Sequence, residues 1–344
     1  MAITRRWQAG FELVSVIELS GVSAFPPSAS TVQKKTGSYA MSVISNGDGV
    51  FGWIDILATR QIRVGWYLYF DAPLSSTDEN RRLFQVRDAS GNNLISIKGK
   101  SLAAGSPLIL EVAGSNQDTE AGAFTTGAFY HLAIDMKINS VAGWVKIYKD
   151  GVEILTFSGN TGNADIVRVC LGAITSRFDA TPHYDDIYID DTTGEGAPAA
   201  PPILRFYYTT LNADGNYSQW DGSDGNQVNN YLLVDELPPN SDTDYVETNV
   251  VDEFDSYSMT TITLEAGQQV EAVIPIAFVK RTGSTEQIAL GTRLSGTDVV
   301  GSDQAPGTSY DTLWERQTTK PGGGTWGQSD IDGFEAVIKS RGSY

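Results

Sequence analysis

The chain has 344 residues, 42 acidic against 24 basic side chains, and a formal net charge of −18. Such a charge repels phosphate backbones, which argues against nucleic acid as a partner and favours solubility at high local concentration. No apolar run of about 18 residues occurs, so no membrane-spanning helix is predicted. The opening MAITRRWQAGFEL lacks the apolar segment of a secretion signal, which implies synthesis and folding in a cytosol. The length exceeds one ordinary domain of about 100–200 residues, so two are expected. With 35 glycines and few helical periodicities, the composition favours an all-β, turn-rich chain. The single cysteine, Cys170, excludes an intrachain disulfide. It lies in the apolar run Ile166 to Leu171, which suits a small buried residue.

Ala9-Gly10-Phe11-Glu12 opens the first predicted strand, continued by Leu13, Val14, Val16 and Ile17. Ser20 to Thr31 reads as loop. Lys35 to Val43 carries the next strand. Gln61 to Phe70 is apolar on both faces, with Ile62, Val64, Trp66 and Leu68 against Tyr67 and Tyr69, as a central strand requires. Trp66 is read as core. Leu83 to Arg87 and Leu94 to Ile97 form a hairpin, and Leu108 to Val112 a short strand. From Phe129 to Phe157 the alternation has a period of two. Tyr130, Leu132, Ile134, Met136 and Ile138 mark one face, and His131, Asp135 and Lys137 the other. Trp144 to Tyr148 follows, then Lys149-Asp150-Gly151 and Val152 to Phe157. Asp-Gly between apolar runs predicts a type I′ turn and a three-stranded meander. Ile166 to Leu171 and His183 to Asp190 complete the first half.

The run Trp144-Val-Lys-Ile-Tyr-Lys-Asp-Gly-Val-Glu-Ile resembles the central hairpin of laminin-G-like and concanavalin A-like domains. Gly10-Phe11-Glu12, Lys35 to Val43 and the Asp185-Asp186 ending also match that pattern. The resemblance implies an antiparallel jelly-roll sandwich over residues 1–193, its last strand pairing with its first. A proline-rich linker follows over 194–202, since proline blocks ladder bonding and favours extended geometry.

Residues 203–344 read as a second, smaller β-sandwich with long loops. Its predicted strands include Val270 to Phe278, Ile288 to Leu294 and Phe334 to Ile338, after a polar stretch from Asn212 to Asp255. Gly215-Asn-Tyr-Ser-Gln-Trp220, Asp235-Glu-Leu-Pro-Pro239, Trp314-Glu315, Trp326 and Phe334 follow one another in the order found in a module of tailed-bacteriophage virion proteins. This half resembles that module. The resemblance implies a structural protein of a virion, assembled in the host cytoplasm, as a capsid decoration or tail component. It further implies partners among capsid or tail proteins and self-association, with threefold assembly, a trimer, expected by analogy, since decorating modules commonly sit on symmetry axes.

Candidate chemistry is sparse. A retaining glycosidase needs two carboxylates about 5–5.5 Å apart. Asp186 and Asp190 share a predicted face but stand four residues apart, about 13 Å along a strand, so no enzyme is expected. Calcium is the one possible cofactor, with Asp185, Asp186, Asp214 and Asn216 as candidate ligands, although Asp-Gly and Asn-Gly sequences are first of all turn formers. The two histidines, His131 and His183, are too few for a zinc site or triad and read as surface or rim residues. Trp53 and Trp144 are candidates for stacking on a glycan or contacting another subunit. The expectation is therefore a virion building block without chemistry; a carbohydrate-binding module for host glycans is the alternative, and a polysaccharide hydrolase a more distant one.

Overall fold

The Asp150-Gly151 turn takes φ +49° and +80°, the positive pair that a type I′ turn demands, and the predicted meander is built around it. The computed structural model describes residues 4–11, 19–24, 26–44, 49–74, 81–99, 108–120, 124–174, 180–195 and 201–342. Two compact units divide between Tyr208 and Thr209. Residues 203–208 thus go with the first unit, beyond the linker read at 194–202. Residues 196–200 of that linker lie outside the described residues.

In the first unit, strands are β1 (Thr4–Ala9), β2 (Gly21–Val22), β3 (Ser28–Ser30), β4 (Ala40–Ser42), β5 (Val50–Thr59), β6 (Gln61–Phe70), β7 (Arg81–Arg87), β8 (Asn93–Gly99), β9 (Leu108–Val112), β10 (Ser115–Glu120), β11 (Tyr130–Lys137), β12 (Gly143–Lys149), β13 (Val152–Gly159), β14 (Ile166–Ala173) and β15 (Pro182–Asp191). The first sheet runs β13-β12-β11-β6-β15-β4-β3, with β1 also on β15. The second runs β10-β9-β8-β7-β14-β5-β2. All pairings are antiparallel, and the last strand pairs with the first, Trp7 opposite Ile189.

Alternation aims one face of each sheet inward. Val64, Trp66, Leu132, Ile134, Val145 and Ile189 of the first sheet meet Ile54, Phe84, Val86, Ile97 and Val169 of the second in one core. The Trp66 indole stacks on Phe84 across the layers, centroids 5.1 Å apart and planes 6° from parallel. Tyr184 crosses the core and donates its hydroxyl to Leu83 O at 3.0 Å. Burying these large side chains is the main source of stability.

Several expectations need correction. The Ser20 to Thr31 segment contains β2 and β3, short edge strands that carry no usable alternation. The opening strand lies earlier than read, at Thr4–Ala9, where arginines pair with acids of β15 and hide the strand signal. Of its predicted continuation, Leu13, Val14, Val16 and Ile17 lie outside the described residues.

The second unit contains β16 (Leu211–Ser218), β17 (Asp221–Gly222), β18 (Val246–Glu247), β19 (Phe254–Met259), β20 (Ile276–Val279), β21 (Gln287–Leu294), β22 (Thr297–Val300), β23 (Asp311–Trp314), the short helix α1 (Gln328–Ile331) and β24 (Glu335–Arg341). Five strands form a sheet, β16-β19-β24-β21-β22; β17-β18 and β20-β23 are two-stranded ribbons. Ala277, Val279 and Leu313 of one ribbon pack with Trp220, Ile288, Leu290 and Ile338. Only the end of the predicted Val270 to Phe278 strand is continuous; Val270 and Val273 make isolated bridges to Trp326 and Gln317. The polar stretch begins with a strand, β16, because its polar side chains bond to neighbouring strands and turns.

Candidate functional site

The outer face of the first sheet can be read off its register as rows across strands. His183 stands opposite Tyr69, whose ring meets Phe129, and Asp185, Tyr67 and His131 form the next row. Further along, Asp190, Arg63, Asp135 and Lys146 stand side by side. Arg63 donates to both Asp135 oxygens at 2.7 and 3.2 Å, with side chains 5% and 0% exposed. Burial alone would lower the Arg63 pKa and raise that of Asp135. Their hydrogen bond lifts Arg63 overall, whereas on Asp135 burial prevails. The two parallel bonds favour the ionised pair. Arg5 bonds to Asp190 and lies over the Tyr188 ring, 4.7 Å from its centroid.

This face is closed by the segment 202–208. Tyr188 donates to Pro202 O at 2.8 Å, and Tyr67 hydrogen-bonds with Arg205. Phe206 N donates to Asp186 Oδ1 at 2.9 Å, and Thr36 Oγ1 donates to Phe206 O at 3.0 Å. Tyr188 lies over Gly65, so near that a Cβ there would meet its ring. The strap is therefore held through side chains of Thr36, Tyr67, Asp186 and Tyr188, three of which bond to its backbone.

Closure explains where the predicted site residues go. Asp185 and Asp186 are buried beside a β-bulge, with Asp186 at φ +48°. Asp185 accepts backbone N–H groups from Lys35 (2.7 Å), Thr36 (3.2 Å) and Asp186 (2.8 Å). A calcium ion needs six to eight oxygens, and a ring of N–H donors does not supply them. Burial, then the adjacent Asp186, pushes the Asp185 carboxyl up to about 8. His131 is on the polar face as read, but it is buried rather than a surface residue. Tyr67 meets it edge-on and Tyr188 stacks on it. Burial pushes it down to about 4. His183 is likewise buried, against Tyr69. Trp144 lies half-buried on this face, between Lys137 and Ser158.

Trp53 is on the other side of the sandwich. Val50 and Ile54 of β5 enter the core, so Phe51, Trp53 and Asp55 point away from it. Phe51 and Trp53 are half-buried, their rings 6.0 Å apart and tilted by 46°. The Trp53 indole packs against Gly21. Arg168 lies over the indole at 4.9 Å, and Arg87 over Phe51 at 5.6 Å. Arg168 grips Asp55 through two bonds of 2.6 and 3.1 Å. Farther across the sheet, Arg82, Lys98 and Ser96 surround Glu111; burial opposes them, but these donors hold its carboxyl down to about 2. Between the two groups, Cys170 is buried and its thiol is pushed up to about 11 by burial, so it stays protonated. Arg87 and Arg168 had no signal in the sequence: only register brings them beside the aromatic pair.

In the second unit, Asp214 accepts backbone N–H groups of Asn229 (2.6 Å) and Tyr231 (2.9 Å). Asn216 N donates to Glu335 at 2.8 Å. Both serve the strand and its turn. The Trp220 end of the motif is internal: Asn230 bonds to Trp220 O and to buried Asp255, which also accepts from Tyr257. Among the described residues, no group of three or more His, Cys, Asp or Glu side chains is placed to hold a metal ion.

No protein-family model and no curated protein matches the chain. Among solved structures, it is similar to the cellulose-induced protein Cip1 at 17% identity and TM-score 0.37, covering 52% of this chain and 90% of that one. The lectin UEA-II complexed with galactose is similar at 11% identity and TM-score 0.35, covering 55% and 97%. The Caenorhabditis elegans galectin LEC-6 is similar at 15% identity and TM-score 0.27, covering 40% and 88%. The fold class is all-β, an antiparallel jelly-roll sandwich followed by a smaller β unit.

Proposed function

We propose that this protein is a carbohydrate-binding protein that acts by recognition, without catalysis, through the outer face of the second sheet. One observation carries the reading: the half-exposed Phe51–Trp53 pair with Arg87 and Arg168 laid over its rings. A pyranose has apolar C–H faces and a rim of hydroxyls. Aromatic surface suits the first, and guanidinium N–H edges with Asp55 oxygens suit the second. The opposite face is occupied by its own strap, and its acids Asp135, Asp185, Asp186 and Asp190 are buried, whereas Asp55 is exposed. A glycan array followed by calorimetry tests the reading. Trp53→Ala should abolish binding, whereas Trp144→Ala should leave it intact. Binding that survives Trp53→Ala would refute this site.

The motif order in the second unit favours a second, compatible reading: a virion component that assembles with itself and with capsid or tail proteins and presents the first unit to host glycans. Its test is the presence of the chain, at symmetric copy number, in purified particles.

A further inference from the structure

In a chain this acidic, six of the described arginines of the first unit are held by acids. Arg5, Arg6, Arg60, Arg63, Arg82 and Arg168 each pair with a carboxylate. Arg87 differs. It donates Nε and Nη2 to the amide oxygen of Gln85, at 3.1 and 3.0 Å, and has no carboxylate partner among the described residues. Its cross-strand neighbour on β14 is Arg168, another cation, and on β8 it is Asn93, which is neutral. Like charges directly opposite each other on a sheet are unfavourable. Asp55 offsets only one of the two, because it is bound bidentately by Arg168. The pair of guanidiniums therefore keeps one net positive charge, at half-buried aromatic rings, on a protein of net charge −18.

We infer that the ligand of this face is a carboxylated glycan, and that Arg87 is the residue that reads its carboxylate. The inference rests on the carbohydrate reading above and adds the substrate class. A guanidinium held by Gln85 and lying over the Phe51 ring is already oriented, so little freedom is lost when a planar carboxylate docks on it. One uncompensated charge matches a singly charged carboxylate. A uronic acid supplies that carboxylate together with a sugar ring for the neighbouring aromatics.

The experiment uses the full chain and calorimetry with two probes, a galacturonate tetramer and its carboxyl-reduced counterpart of the same linkage. An array of neutral and uronate glycans runs beside it. The acidic probe should bind roughly tenfold tighter or more, the worth of a charge-assisted hydrogen bond. Arg87→Gln should bring it down to the neutral level, with an unchanged melting temperature. Arg87→Lys, which keeps the charge and loses the planar fork, should fall between and serves if the Gln variant folds poorly. Trp53→Ala should remove binding of both probes. Equal affinity for the two probes, a preference that survives Arg87→Gln, or array binding confined to neutral glycans would overturn the role of Arg87 while leaving carbohydrate binding in place. No binding to any glycan would overturn both.

Discussion

On the outer face of the first sheet, Arg63 and Asp135 form a two-bond ion pair with side chains 5% and 0% exposed; on the outer face of the second, Arg168 and Asp55 form the same pair at 36% and 50%. The chemistry is shared and the surroundings are not. The first pair is roofed by neighbours and sits in a network with Asp190, Arg5 and Tyr188. The second stands in water over an indole. A buried pair is a structural commitment, since removing one partner strands a charge. An exposed pair is nearly free to be rearranged around a ligand.

The sharpest way to break this comparison is to remove one acid from each face. Asp135→Ala should cost about 3–5 kcal/mol in urea denaturation, because Arg63 is left buried and unpaired. Asp55→Ala should cost about 1 kcal/mol or less. Similar losses at the two sites would show that the faces do not differ.

A second contrast is in pH dependence. The carboxyl of Asp185 is protonated in the folded state up to about 8, whereas in the unfolded chain it ionises near the ordinary value of 3.8. Unfolding therefore releases a proton between those limits, and this group's contribution to stability is lost as pH rises from about 4 to 8. Asp185→Asn should flatten that decline in melting temperature. The opposite face has the reverse slope: Glu111 ionises near 2 when folded, so its contribution disappears as pH falls from 4.5 toward 2. A decline unaltered by Asp185→Asn would place its cause elsewhere.

The smallest effect concerns the strap. Thr36→Val deletes the hydroxyl shared by Asp186 and Phe206 O, at a cost of about 1 kcal/mol. Hydrogen exchange should speed up at Phe206, whose N–H is bonded to Asp186, while the amides of β6 keep their protection. Uniform acceleration would mean that the strap does not open by itself.

The strands were legible where alternation and turn chemistry agree. Gln61–Phe70 and Leu108–Val112 have the bounds read from the residues, and the Asp150-Gly151 turn has the predicted positive φ pair. β1 was hidden because its arginines satisfy acids 185 residues away. β5 carries glycine and aspartate on an otherwise apolar strand and was missed. At the site level, Trp53 could be named, but Arg87 and Arg168 could not, since they reach its surroundings through pairing of β5, β14 and β7. The burial of His131 was equally invisible: a polar-face position gives no sign that the rings of Tyr67 and Tyr188 will pack against it. Trp53 and Trp144, alike as candidates, lie on opposite sides of the sandwich.

The contact of Tyr188 with Gly65 reaches further than local packing. A Cβ at position 65 would collide with the ring of Tyr188, and the hydroxyl of that same ring holds Pro202 O. One absent methyl group on β6 thus leaves room for the phenol that anchors Pro202. Evolutionary drift at residue 65 would be transmitted, through a single phenol, to the anchoring of the strap at Pro202.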